Sequence, residues 1–171
     1  MDRVILLIHG EPGHGKSYLG RGLRDQFGFE VLDLDDEYVD FTRTRCPDLY
    51  FNWLRAFIAP QYISIARQSE WTKEHFGRDI VREWHAYLLE KIASTSKLSP
   101  RLAVVGWLLF DCKDDFETPL SRDALVVQVH VRDRVYFAEG GPVTAEHLGG
   151  LGMSRSSRIR IEPHAAREQP E

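Results

Sequence analysis

The strongest constraint in the sequence is the order of its first three segments. Val4-Ile5-Leu6-Leu7-Ile8 is a continuous apolar run, rich in β-branched residues, that stops at a glycine-rich stretch. Continuous rather than alternating apolarity predicts a strand buried on both faces, as in a parallel sheet. After the glycines, Leu19, Leu23 and Phe27 recur at four-residue spacing and Gly28 follows, which predicts a helix with one apolar face and a glycine cap. Between the two lies Gly10-Glu11-Pro12-Gly13-His14-Gly15-Lys16-Ser17, a full match to G-x-x-x-x-G-K-[ST]. Glycines let a backbone wrap closely around phosphate, with successive N–H groups and a helix N-terminus turned toward the anion.

The rest of the chain predicts an α/β domain whose sheet is mostly parallel, with about five strands. Phe29–Leu34 reads as a second strand running into Asp33, Asp35, Asp36 and Glu37. Residues 39–98 read as a helical insert between the second and third strands, with Pro60 as an interruption. Its last helix, about 78–94, carries a stripe of Ile80, Trp84, Tyr87, Leu88 and Ile92. Leu102–Phe110 reads as the central strand and Ala124–Val131 as the next. Ala138–Gly152, with five glycines and Pro142, reads as loop, and Ser157–Glu162 as a final edge strand. One domain over 1–162 and a frayed tail over 163–171 are expected.

Composition excludes several classes. With 26 acidic and 22 basic side chains in 171 residues the formal charge is −4, which argues against a strongly basic nucleic-acid binder. Cys46 and Cys112 make neither a disulfide scaffold nor a zinc spacing. No apolar run reaches the roughly 18–20 residues of a membrane span, so a cytoplasmic protein is expected.

Taken together, the loop at 10–17, the acidic strand end at 31–38 and the apolar run Ala103-Val104-Val105-Gly106-Trp107-Leu108-Leu109 resemble the P-loop NTPase superfamily. Within it, the chain looks most like the small nucleoside, nucleotide and metabolite kinases, with a core similar to uridine-kinase-like and shikimate-kinase-like proteins. The resemblance implies a three-layer fold with helices on both faces of the sheet, ATP and Mg²⁺ as cofactors, and transfer of the γ-phosphoryl group to a hydroxyl or phosphate of a small acceptor such as a nucleoside, nucleotide or sugar-like metabolite, a nucleic-acid hydroxyl being the lesser variant given the acidic net charge. It assigns Gly10, Gly13, His14, Gly15, Lys16, Ser17 and Tyr18 to the nucleotide. Lys16 would reach the β- and γ-phosphates, and Ser17 would coordinate Mg²⁺.

A kinase also needs a carboxylate to orient and deprotonate the acceptor hydroxyl. Asp35 is the expected base, with Asp36 as the alternative and as an acceptor contact. Strand alternation would put Asp33 and Asp35 on one face, with Asp33 holding Mg²⁺ through water. The acid that many P-loop enzymes carry at the end of the third strand is missing here, so Asp33, Asp35 or Asp111 must supply that shell. Arg132 and Arg134 are expected in a lid over 132–153, facing the phosphates. Arg43, Arg45 and Trp53 in the helical insert are the expected acceptor contacts. The competing reading is a nucleotide-binding regulatory or interaction module with little acceptor chemistry.

Overall fold

A computed structural model describes residues 3–47, 70, 72–75, 77–106, 119–139 and 141–151. The described elements run β1 (Val4–His9), α1 (Lys16–Phe27), β2 (Glu30–Asp33), α2 (Leu34–Arg45), α3 (Ile80–Leu98), β3 (Arg101–Val105), β4 (Leu125–Arg132), β5 (Val135–Ala138), β6 (Gly141–Val143) and α4 (Ala145–Gly150). They form an α/β fold around a six-stranded mixed sheet in the order β2-β3-β1-β4-β5-β6. β2, β3, β1 and β4 are parallel, so their carboxyl ends share one edge.

β1 sits between β3 and β4, and every one of its residues is buried. Its alternate side chains serve two cores. Val4, Leu6 and Ile8 pack with Leu19 and Leu23 of α1 and Leu148 of α4. Ile5 and Leu7 face the opposite layer, with Tyr38 and Phe41 of α2 and Trp84, Leu88 and Ile92 of α3. A strand clothed by helices on both sides has no need of polar alternation, which is why its sequence is uniformly apolar. Trp84 is an aromatic hub of the second layer, edge-on to Tyr38 at 5.0 Å and tilted against Phe41 at 5.4 Å. Arg101 ties the first layer together: its guanidinium donates to the Phe27 and Gly149 carbonyls and lies over the Phe29 ring at 4.9 Å.

The far side of the sheet departs from expectation. β5 and β6 run antiparallel, because Asp133 and Arg134 reverse the chain directly after β4. A parallel neighbour needs a crossover of a dozen or more residues, and a two-residue turn cannot supply one. The segment expected as loop, Ala138–Gly152, also contains regular structure. It holds β6 and then α4, which Thr144 and His147 open as a capping box. β2 is shorter than expected and gives way to α2 at Leu34 with no intervening loop. The third strand ends at Val105 among the described residues. Residues 107–110, the edge strand expected at 157–162 and the tail lie outside the described residues, as do Trp53, Asp111 and Cys112.

Candidate functional site

Three segments converge at the carboxyl edge of the parallel strands: the 10–17 loop after β1, the β2–α2 junction, and the turn between β4 and β5. The loop leaves β1 at Gly10, whose φ is +147°. A Cβ there would stand 2.3 Å from the Val131 carbonyl oxygen of β4, so only glycine passes. The loop closes at Gly15, the left-handed N-cap of α1, with φ of 97°. Within it the His14 N–H donates to the Glu11 carbonyl at 3.3 Å. The N–H groups of Gly13, Gly15, Lys16 and Ser17 find no acceptor among the described residues. Unpaired amides at a helix start carry the positive end of its dipole, which is a receptive place for an anion.

Lys16 is buried, and its ammonium donates to the Glu11 carbonyl at 2.7 Å. Burial lowers its pKa, while the Asp35 and then the Asp33 carboxylates favour its charge. The lysine and the acidic segment thus sit in one electrostatic field. Ser17 is exposed beside it.

The acids are arranged differently from the strand alternation expected of them. Asp33 is the N-cap of α2, and its carboxylate accepts the Asp35 N–H at 3.1 Å. Asp35 and Asp36 are therefore residues of the first helical turn, not of a strand. Their repulsion is eased there by the helix dipole. Burial raises the pKa of Asp33, against the pull of the Asp35 amide. Burial raises that of Asp35 as well, against the attraction of Lys16.

Ser17, Asp33 and Asp36 line one cleft of about 460 Å³ between α1 and the start of α2. Ser17 and Asp33, the two expected Mg²⁺ contacts, thus open on a common space. That fits a cation which takes one or two protein oxygens and completes its shell with water and phosphate.

The turn after β4 brings Arg134 to the loop, where its N–H donates to the His14 carbonyl at 3.1 Å. Its Cγ lies 3.3 Å from the place a Gly15 Cβ would take. The expected arginine lid is, at this point, a tight hairpin turn fastened to the loop. Arg132 is exposed and meets Asp133 at 3.8 Å. His14 Nε2 lies 3.9 Å from Glu11 and 3.8 Å from Asp133. Tyr18 is exposed on the first turn of α1, and burial, with the nearby Tyr18 a lesser cause, raises the pKa of Tyr136 on β5.

Arg43 and Arg45 are not brought to this edge. They close α2, where Arg45 pairs with Glu90 at 3.3 Å and lies over the Tyr87 ring at 5.8 Å. Ten residues of helix separate Arg45 from Asp35, about 15 Å of axial rise. Two features escaped the sequence reading. Arg21 and Arg24 line the cleft from α1. Buried His9, the last residue of β1, stacks on His130 of β4 with 5.1 Å between ring centroids. The parallel register that sets the two histidines side by side is the only signal for the latter, and it needs the strand order first.

No helix among the described residues is long and apolar enough to cross a membrane. No protein-family model matches this sequence, and no curated protein matches it.

Proposed function

We propose that the chain is an ATP-dependent phosphotransferase that moves a γ-phosphoryl group to a small acceptor. The observation that carries this reading is the pairing of the open amides of Gly13, Gly15, Lys16 and Ser17 and the Lys16 ammonium on one side with the carboxylates at 33–36 on the other. The amides and the lysine suit the anionic tail of a nucleoside triphosphate. Lys16 would exchange the Glu11 carbonyl for a phosphate oxygen. Mg²⁺, held by Ser17 and through water by Asp33, would neutralise charge developing on the phosphate oxygens.

Asp35 accepts the proton of the acceptor hydroxyl as that oxygen bonds to the γ-phosphorus. The bond from phosphorus to the bridging oxygen breaks, and ADP leaves. A carboxyl raised by burial is nearer to the working range of a general base than an ordinary one. The Arg134 contact with the loop supports the phosphate cradle from behind.

Acceptor-dependent ADP release tests the reading. Lys16→Ala should lower it at least ~100-fold and weaken ATP binding. Asp35→Asn should lower turnover by roughly 10²–10⁴ while ATP still binds. Full activity in Asp35→Asn with none in Asp36→Asn would move the base by one residue. Unchanged turnover in Lys16→Ala would reject the phosphate site.

One observation favours a nucleotide-binding module instead. Gly106, which follows β3, is packed so closely on Leu34 that a Cβ would meet it at 2.6 Å, so no acidic side chain fits at that position. Tight ATP binding with no acceptor-dependent turnover would select this second reading.

A further inference from the structure

The cleft has two unlike walls. Ser17, Arg21 and Arg24 lie four and then three residues apart, so they share one stripe of α1. Arg21 stands about 6 Å and Arg24 about 10 Å along the axis from Ser17. The facing wall is the cap and first turn of α2, with Asp33 and Asp36, and the floor includes Val31. Several of the charges around the cleft are already engaged. Arg24 holds Asp25 at 3.0 Å, and Asp33 holds the Asp35 amide. Glu37 takes Lys91 at 3.1 Å and the Tyr87 hydroxyl at 3.2 Å. Arg21 and Asp36 line the same space, yet neither has a hydrogen-bond or ion-pair partner among the described residues.

We propose that this cleft is the acceptor site and that its acceptor carries an anionic group, a carboxylate or a phosphate monoester, which Arg21 binds. The inference rests on the phosphotransferase reading and adds the substrate class to it. On that reading the reacting hydroxyl lies at the end of the cleft lined by Ser17, Asp33 and Asp36, beside the helical turn that carries Asp35. The space that remains runs along α1 toward its arginines. A ligand filling it has its hydroxyl at one end and runs toward arginines whose backbone positions stand about 6 and 10 Å along α1 from Ser17. That is the span of a sugar acid or a sugar phosphate. A guanidinium is a planar fork suited to two oxygens of either group, and an unpaired one needs no existing contact broken. Asp36 then takes a hydroxyl of the same ligand.

The test begins with ATP binding to the wild-type protein and to Lys16→Ala. Loss of binding in the variant retains the phosphate site, and its failure in the wild type would reject the phosphotransferase reading itself. ADP release is then measured with matched acceptors: ribose, ribonate, ribose 5-phosphate, sorbitol, gluconate, glucose 6-phosphate and, as a cationic member, glucosamine. The expected result is stimulation by anionic members over their neutral counterparts, with the carboxylate and phosphate arms telling the two chemistries apart. Arg21→Gln should raise KM for the stimulating anion about 10- to 100-fold while ATP affinity is kept, and Arg21→Lys should restore part of it. Stimulation by neutral or cationic members only, an unmoved KM in Arg21→Gln, or no stimulation by any member of the panel while ATP binds normally would each overturn the proposal.

Discussion

Two short segments meet at the carboxyl edge of the sheet, and both take left-handed backbone, yet they are built from different residues. The 10–17 loop does so with glycines, at Gly10, Gly13 and Gly15, whose φ values are 147°, 83° and 97°. The hairpin turn does so with Asp133 and Arg134, at φ of 50° and 64°. A two-residue turn of this type favours Asn-Gly, and a side chain such as arginine costs about 1 kcal/mol or more in that conformation. The loop gives up side chains and leaves the amides of Gly13, Gly15, Lys16 and Ser17 open. The turn keeps side chains under strain and sets them against the loop, with Asp133 beside His14 and Arg134 beside Gly15. The strain is kept where the turn contacts the loop, at His14 and Gly15, rather than relieved by a glycine.

The largest expected effect separates two glycines of the loop. Gly10→Ala drives a Cβ into the Val131 carbonyl, a backbone atom that cannot swing aside. A stability loss of about 3 kcal/mol or more, roughly 6–12 °C in melting temperature, is expected. Gly13→Ala meets no atom within 4 Å and suffers only the strain of its φ, so about 1–2 kcal/mol is expected. Equal losses by thermal unfolding would mean that β4 does not fix the start of the loop.

Smaller and of opposite sign is Arg134→Gly. Relief of the left-handed strain should stabilise the ligand-free protein by about 0.5–1 kcal/mol, while ATP affinity falls because the loop loses its backing. Affinity and stability moving together would break the contrast drawn between the two segments. Combined with Gly15→Ala, the arginine change should also remove part of that variant's cost, a coupling of about 0.5–1 kcal/mol by double-mutant cycle.

The same two segments show what the sequence could reveal and what it could not. β1, the loop and α1 were legible because each rule acts locally: apolar on both faces, glycine at the turns, leucine every fourth residue. The antiparallel end was not, because Asp133-Arg134 does not resemble a hairpin turn. Glycines at 138–152 suggested loop, but Gly149 is there because the Phe27 ring occupies the space where a side chain would be. Arg21 and Arg24 were invisible for a different reason. On an amphipathic helix they belong to the polar face, and they become walls of a cleft only because α2 starts immediately after β2. The acids were found, but their geometry was not, since Asp33 acts as a helix cap and puts Asp35 on a helical turn.

The acidic junction supplies the smallest effect and the one whose sign is most informative. Burial raises the Asp35 pKa above its ordinary value, outweighing the attraction of Lys16. Between the ordinary and the raised pKa, the folded protein holds a proton that the unfolded chain has released. Stability from this group is therefore lost as pH rises through that window. Asp35→Asn removes the cost, so the variant should melt slightly above wild type at neutral pH, and the gap should close as pH falls toward the ordinary carboxylate range. Asp35 has an exposed surface, and screening by solvent keeps the effect under about 1 kcal/mol. A variant that melts below wild type would mean that the Lys16 attraction wins, and the carboxylate would then be a structural ion-pair partner. A variant that melts above it and yet fails to transfer phosphate would be carrying the opposite signs expected where a charge is kept for chemistry at the expense of stability.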